Sequence, residues 1–512
     1  MNSKLFIIIL YGICFVFLLS IFVPVSAIAD DLNYNNLSLA DSKQNSKLHT
    51  IGQLKIQAIA PINPVFESAQ QRLMPIPKTT PVSSPVVQTR SNISHYSYEK
   101  VLSKRTAMEE AMNSLQDQAG KPDAASLSEN AKEVVQANNQ FALDFYHELV
   151  SNPESAGDNI FFSPWSISSV FALTYEGARG TTANEIRSVF HFPATDATLR
   201  DGYSELTTGL NNGRSGYMLY TANALWAEKT YPFLTDYISI ADRYYSAKTT
   251  NLDFINKPDD SRLIINRWVE DRTRNRIKDL LPSGAIHSET RLVITNAIYF
   301  KGKWVEQFSK TNTIDEDFQV SPSQTVRVPM MKRTDEDAKY WYAETEDVQV
   351  LGMPYVHKSG DEMSMLVLLP KGNNLEALET SLSARRVGEL NQALVYKRVY
   401  VSFPRFRLET DYQLSGPLAD MGMPSAFAGS DFSGMDGTKN LFIDEVYHKA
   451  FVEVNEEGTE AAAATGATIA MGAEIFIEPI PVFRADHPFL FLIQDNDTGN
   501  ILFIGRVVNP AG

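Results

Sequence analysis

A chain of 512 residues with 44% hydrophobic side chains can bury a large core, as one big domain or a few ordinary ones. Its net charge of −15 argues against a nucleic-acid surface and against anionic membranes as partners. Its one cysteine, Cys14, lies in an N-terminal apolar run, so a chain processed beyond that run has no disulfide, cysteine metal site or thiol nucleophile.

Residues 1–29 carry Lys4, an apolar run from Leu5 to Val23, and Ala27-Ile28-Ala29. This is the pattern of a secretory signal with a small-residue cleavage site. The run is about 19 residues, near the lower limit for a spanning helix, so an uncleaved anchor is the alternative. In either case the bulk of the protein is expected outside the cytoplasm. Residues 30–130 are dominated by Asn, Ser, Gln, Thr and Pro, too polar to bury a core, and read as a largely disordered stalk. Tyr98 to Gln118 carries one helical stripe, and Asn36-Leu37-Ser38 and Asn92-Ile93-Ser94 match the glycosylation sequon.

Ordered sequence is expected from 131 to 512. Val134, Val135, Phe141, Phe145 and Leu149 form a helical stripe. Asn159-Ile160-Phe161-Phe162 reads as a short strand, and Ser163 before Pro164 reads as a cap and first-turn proline opening a helix that Gly177 stops. Thr182 with Glu185 has the spacing of a capping box, predicting a short helix that buries Ile186, Val189 and Phe190. Strand signals follow at Tyr217 to Tyr220 and Ala222 to Trp226, then a helix over Ile264 to Lys278. Leu292 to Phe300 is an apolar strand interrupted by Thr295 and Asn296, which are costly there unless hydrogen-bonded. Further strands are Met363 to Leu369, Val399 to Phe403 and Phe451 to Val454. Strands and helices mix without strict βαβ alternation, so the class is α+β.

No Gly-x-Ser-x-Gly elbow, His-Glu-x-x-His helix, phosphate loop or dinucleotide fingerprint is present. The eight histidines are scattered singly, none paired at metal-ligand spacing, so no metal or cofactor is implied. Asp431 with Gly434 and Asp436-Gly437 read as turns. One stretch is compositionally distinct: Glu456-Glu457-Gly458-Thr459-Glu460, then Ala461, Ala462, Ala463, Ala464, Thr465, Gly466 and Ala467. Its alanines behind acids suit a helix. Its small side chains equally suit a strand squeezed between two strands already paired.

Several stretches together resemble the serpin family. They are Asn159 to Ile167, Asn266-Arg267-Trp268-Val269-Glu270, Thr295 to Trp304, Asp431-Phe432-Ser433-Gly434, His448-Lys449-Ala450, Glu456 to Thr465, Phe483 to Phe491, and Gly505 to Pro510. They occur in the family's order and cover the chain from about Ala131 onward. The resemblance implies three β-sheets, eight or nine helices and an exposed reactive loop near the C-terminus. A protease cleaves that loop and is trapped as an acyl-enzyme while the loop inserts into the main sheet.

The same resemblance assigns roles. Glu456, Gly458, Thr459 and Ala461 to Ala464 match the hinge. Thr459, Ala461, Ala463 and Thr465 then alternate onto the inward face, with Glu460 on the outer one. Ser163, Ser166, Asn296 and His448 match the polar cluster where the sheet opens; a fixed core network without a gating role is the other reading. Trp304 matches the aromatic where the loop enters and is also a natural core tryptophan. Counting from Glu456 as inhibitory members do places the reactive bond at Gly472-Ala473, with Met471-Gly472 next and Glu474-Ile475 after it. Ala470, Met471, Gly472 and Ala473 are small or flexible, suit an elastase-like or subtilisin-like serine protease and offer no basic residue to a trypsin-like pocket. Only Arg200 and Arg214 lie where heparin-binding members carry a basic helix, so no polyanion cofactor is expected.

The leading expectation is a secreted, monomeric suicide inhibitor of serine proteases, not an enzyme. A non-inhibitory serpin acting as carrier, chaperone or storage protein is the second reading, disfavoured by the small uncharged hinge. An unrelated exported hydrolase is the third, and no motif supports it.

Overall fold

The computed structural model describes residues 127–152, 155, 157–210, 217–357, 362–458 and 479–512, all within the compact unit His95–Gly512. The expected signal or anchor, the stalk with its helical stripe and both sequons lie outside the described residues. Among the described residues no helix is long and apolar enough to cross a membrane.

Helix α1 (Glu129–Ser151) opens on Ser128, whose Oγ accepts from the Ala131 N–H, and buries the expected stripe of Val134, Phe141, Phe145 and Leu149. Strand β1 (Ile160–Phe162) is wholly buried, and Ser163 then caps α2 (Pro164–Gly177). Nearly every residue of α2 is buried, as suits a helix that is apolar on all sides.

Helix α3 (Gly180–Val189) buries Ile186 and Val189 as expected, but the expected capping box is absent. The helix begins two residues before Thr182, so Thr182 and Glu185 sit inside it. Their side chains instead accept from a neighbouring loop, Thr182 from the Asp431 N–H and Glu185 from the Ser425 N–H. The two strand signals near 217–226 merge into β2 (Met218–Glu228), after α4 (Asp196–Leu210). The next helices are α5 (Thr235–Tyr245) and, after β3 (Lys248–Leu252), α6 (Pro258–Arg272). Helix α6 starts earlier and ends earlier than Ile264 to Lys278: Pro258 sits in its first turn, and Arg274 and Asn275 adopt left-handed φ of 54° and 58° that end it.

The remaining elements are β4 (Leu292–Lys301), β5 (Ile314–Ser321), β6 (Gln324–Arg333), β7 (Lys339–Glu344), β8 (Val348–Pro354), β9 (Met363–Pro370), α7 (Leu375–Ser381), α8 (Ala384–Gln392), β10 (Val395–Arg398), β11 (Tyr400–Pro404), β12 (Phe406–Gln413), α9 (Ser415–Asp420), α10 (Ser433–Asp436), β13 (Ile443–Val454), β14 (Val482–Arg484), β15 (Phe489–Asp495) and β16 (Ile501–Val507). Among the described residues they build three sheets, ordered β1-β16-β15-β9-β8-β7-β10, β14-β11-β6-β5 and β12-β13-β4-β2-β3.

The last of these sheets is covered on both faces. Leu292, Ile294, Ile298 and Phe300 of β4, with Val446, Ala450 and Val452 of β13, join the main core beneath α2. The alternate residues Val293, Ala297, Tyr299, Tyr447 and Phe451 join a second core with Ile265 and Val269 of α6. Burial on both faces explains why β4 reads as a continuous apolar run.

Candidate functional site

The site follows from one feature of this sheet. Strands β4 and β13 are parallel neighbours, paired from Leu292 with Ile443 to Tyr299 with Phe451. They therefore end at the same edge, and whatever follows β13 leaves beside the end of β4.

Halfway along the seam, Asn296 pairs with His448 across β4 and β13, and with Asn223 across β4 and β2. All three elements meet the N-terminus of α2 there. Asn296 Nδ2 donates to Ser166 Oγ at 2.8 Å and to Asn223 Oδ1 at 2.9 Å. Ser166 Oγ donates to Asn223 Oδ1 at 3.0 Å, and Ser163 Oγ donates to the Leu502 carbonyl at 2.7 Å. The Ser163 N–H donates to His448 Nε2 at 3.2 Å, which leaves the imidazole proton on Nδ1, facing Asn296 Oδ1 in a short hydrogen bond. The ring is fully buried and packs parallel to Tyr412, and burial pushes its pKa down to about 3. A neutral imidazole is thus built into the seam, satisfied on both nitrogens.

At the shared end, the chain turns back. Asn455 and Gly458 exchange both backbone hydrogen bonds, at 3.0 and 3.2 Å, closing a tight turn over Glu456 and Glu457. Gly458 also forms an antiparallel bridge with Lys303, just past β4. The turn is pinned from below: the Glu457 carbonyl accepts from Trp304 N–H at 3.1 Å, and the Glu456 carbonyl from Phe308 N–H at 2.8 Å. Trp304 is buried, donates its indole N–H to the Asn455 carbonyl at 3.0 Å and stacks on Tyr355. Both turn carboxylates are buried. Glu456 accepts from Thr313 Oγ1 at 2.8 Å with Arg405 at 3.7 Å, and Glu457 pairs with Lys310 at 2.5 Å.

The structure thus gathers Ser163, Ser166, Asn296 and His448 into one network, and Trp304, Glu456 and Gly458 into a second cluster at the end of the seam. Thr459, Ala461 to Ala464, Met471, Gly472 and Ala473 lie outside the described residues, as does Arg214. Arg200 is tied to the buried Glu176 carboxylate at 2.8 and 2.5 Å. Two residues were missed. Asn223 completes the network, and its signal was the one that flagged Asn296: a polar residue inside an apolar strand. Glu457 is as buried as Glu456, which no local pattern announces. Among the described residues no cluster of His, Cys, Asp and Glu could hold a metal.

Comparison with known proteins bears on this arrangement. Residues 136–510 match the family model described as serpin, serine protease inhibitor. An uncharacterized serpin-like protein of Methanosarcina acetivorans is 43% identical over 380 residues, covering 74% of this chain and 88% of that protein. The leukocyte elastase inhibitor of Bos taurus is 39% identical over 382 residues, covering 73% and 98%. The crystal structure of uncleaved ovalbumin superposes with a TM-score of 0.66 at 29% identity, covering 74% of this chain and all of that one.

Proposed function

The chain belongs to the serpin family, and on that premise we propose that it inhibits serine proteases by surrendering the segment after Gly458 to cleavage and then drawing it into the seam between β4 and β13. One observation carries the reading: two parallel neighbours share an end at which the chain has already reversed. A strand continuing from that turn runs antiparallel to both, so inserting it exchanges one parallel ladder for two antiparallel ones. At roughly 0.5–1.5 kcal/mol net per added hydrogen bond, the extra ladder supplies on the order of 10 kcal/mol.

In this reading the protease's serine hydroxyl attacks the Gly472 carbonyl carbon. The Gly472–Ala473 C–N bond breaks, the hydroxyl proton leaves on the new amine of Ala473, and Gly472 remains as an ester on the enzyme. Insertion before water attacks that ester traps the protease, and the inhibitor is consumed one to one rather than turning over. Small or flexible residues at 471–473 favour elastase-like or subtilisin-like targets, which agrees with the likeness to a leukocyte elastase inhibitor. We place the protein outside the cytoplasm, secreted or held by its N-terminal apolar run, with the inhibitor domain at 131–512 following the polar stalk. The test is incubation with pancreatic elastase and with subtilisin. An SDS-resistant complex and a released fragment beginning at Ala473 are expected; cleavage without any complex would overturn the inhibitor reading in favour of a non-inhibitory member.

A further inference from the structure

We propose that the loop after α6 and the outermost strand β12 form a binding site for a small phosphate, either the free ion or the monoester of a small alcohol. The site is a cavity of about 250 Å³ lined by Asn275, Arg276, Lys278, Arg407, Glu409 and Phe451. Its occupation does not depend on protease inhibition.

The cations are positioned by rings. Three neighbouring strands each put one aromatic side chain at the same level of the face toward α6. Tyr220 of β2 is paired with Tyr299 of β4, and Tyr299 with Phe451 of β13, with ring centroids 5.8 and 5.7 Å apart. A guanidinium lies over each ring: Arg274 over Tyr220 at 5.6 Å, Arg276 over Tyr299 at 5.7 Å and Arg407 over Phe451 at 4.8 Å. A ring face holds a cation in place without neutralising it.

The loop that carries two of these arginines is pinned. Thr273 and Ile277 are fully buried, and Thr273 Oγ1 accepts from the Ile277 N–H at 3.3 Å. Arg274 and Asn275 between them, and Asp279 beyond, take left-handed φ of 54°, 58° and 48°, which costs free energy in any residue but glycine. The alternating pattern turns Arg276 and Lys278 toward the same cavity.

The charges in the cavity do not balance. Glu409 is its one lining acid, and it accepts from Arg407 at 3.0 Å and from Lys449 at 3.2 Å. Burial alone would raise the pKa of this carboxyl, yet Lys449 and Arg407 hold it below the usual carboxylate range. One anion between two cations leaves a positive charge over. Lys278 adds another, exposed and with no ion-pair partner among the described residues. Such an excess stands out in a chain of net charge −15. Two guanidinium forks, an ammonium and an amide around one space match a tetrahedral oxyanion of double charge, which can engage both forks at once. The volume is below the roughly 300–1,000 Å³ of drug-sized pockets, so the guest is small. Bound there, it ties the end of α6 to β12.

The full chain is titrated against inorganic phosphate and against glucose 6-phosphate at constant ionic strength, followed by phosphorus NMR. Wild type is expected to broaden and shift the phosphorus signal to saturation, with Kd on the order of 1 mM. Lys278→Gln and Arg407→Gln are each expected to weaken binding about fivefold or more, and Lys278→Arg to retain it. Lys339→Gln, on another sheet, is expected to change nothing. Lys278 is exposed, so its variants are expected to melt as wild type does. Tighter binding of glucose 6-phosphate assigns the site to a monoester, and equal or tighter binding of inorganic phosphate assigns it to the free ion. No saturable response from wild type up to about 20 mM, or binding left intact by both Lys278→Gln and Arg407→Gln, would overturn the site.

Discussion

Gly458 lies so close to the carbonyl of Gly302 that there is no room for a side chain between them. A methyl group built on Gly458 would lie 2.5 Å from Lys303 Cα and 2.7 Å from Trp304 N, closer still to the Gly302 oxygen, and the residue's φ of 129° disfavours any side chain. Gly458→Ala must therefore shift the turn. The expected cost is about 1–3 kcal/mol, seen as a lower melting temperature of the intact protein with more of it cleaved per protease trapped. Unchanged values on both measures would remove Gly458 from the hinge.

His448 makes stability depend on pH. Its pKa is about 3 in the fold and near the ordinary 6.5 when unfolded. Between those values only the unfolded chain holds the proton, so this contribution is complete above about pH 6.5 and shrinks as the pH falls toward 3. The slope is about 1.4 kcal/mol per pH unit for one group. His448→Gln removes the slope, and the difference between the two unfolding curves separates it from carboxylates such as Asp431, which Lys439 helps hold down at about 2.

Asn223→Ala removes the acceptor shared by Ser166 Oγ and Asn296 Nδ2. The expected loss is about 1–3 kcal/mol in chemical denaturation of the intact protein. An effect under a few tenths would show that the network tolerates a gap.

Thr459→Arg places a charge at the first inward position of the strand that is proposed to enter the seam. Burying it costs several kcal/mol. Elastase is expected to cut this variant without being trapped, so the moles of inhibitor needed per mole of enzyme rise at least tenfold. Trapping at the wild-type ratio would count against insertion from this end.

Much of this was legible in the sequence because its causes are local. Ser163-Pro164 marks a cap wherever it folds, and Asn296 inside an apolar strand announces a buried partner without naming it. What sequence could not supply was who completes each interaction. Thr182 and Glu185 have the spacing of a capping box, yet tertiary contacts with Ser425 and Asp431 claim both side chains. Helix α6 stops at Arg272 because the next residues turn left-handed, which no propensity of Arg274 announces. Asn223 carried a signal of the same kind as Asn296, but it sits between two alanines in a short apolar piece, Ala222 to Trp226, where a polar residue stands out less than in the long run of β4.

The seam has a fixed length, from the Lys303 bridge down to Leu292, so the proposed insertion calls on the stretch from Thr459 to Ile469 and no more. The proposed reactive bond and all that separates it from Val482 lie beyond that stretch. Two tasks are therefore written in tandem on one segment, the first answering to the sheet and the second to the enzyme it meets. On the proposed mechanism, descendants of this chain can diversify the second part freely, acquiring new targets while the trap itself stays as it is.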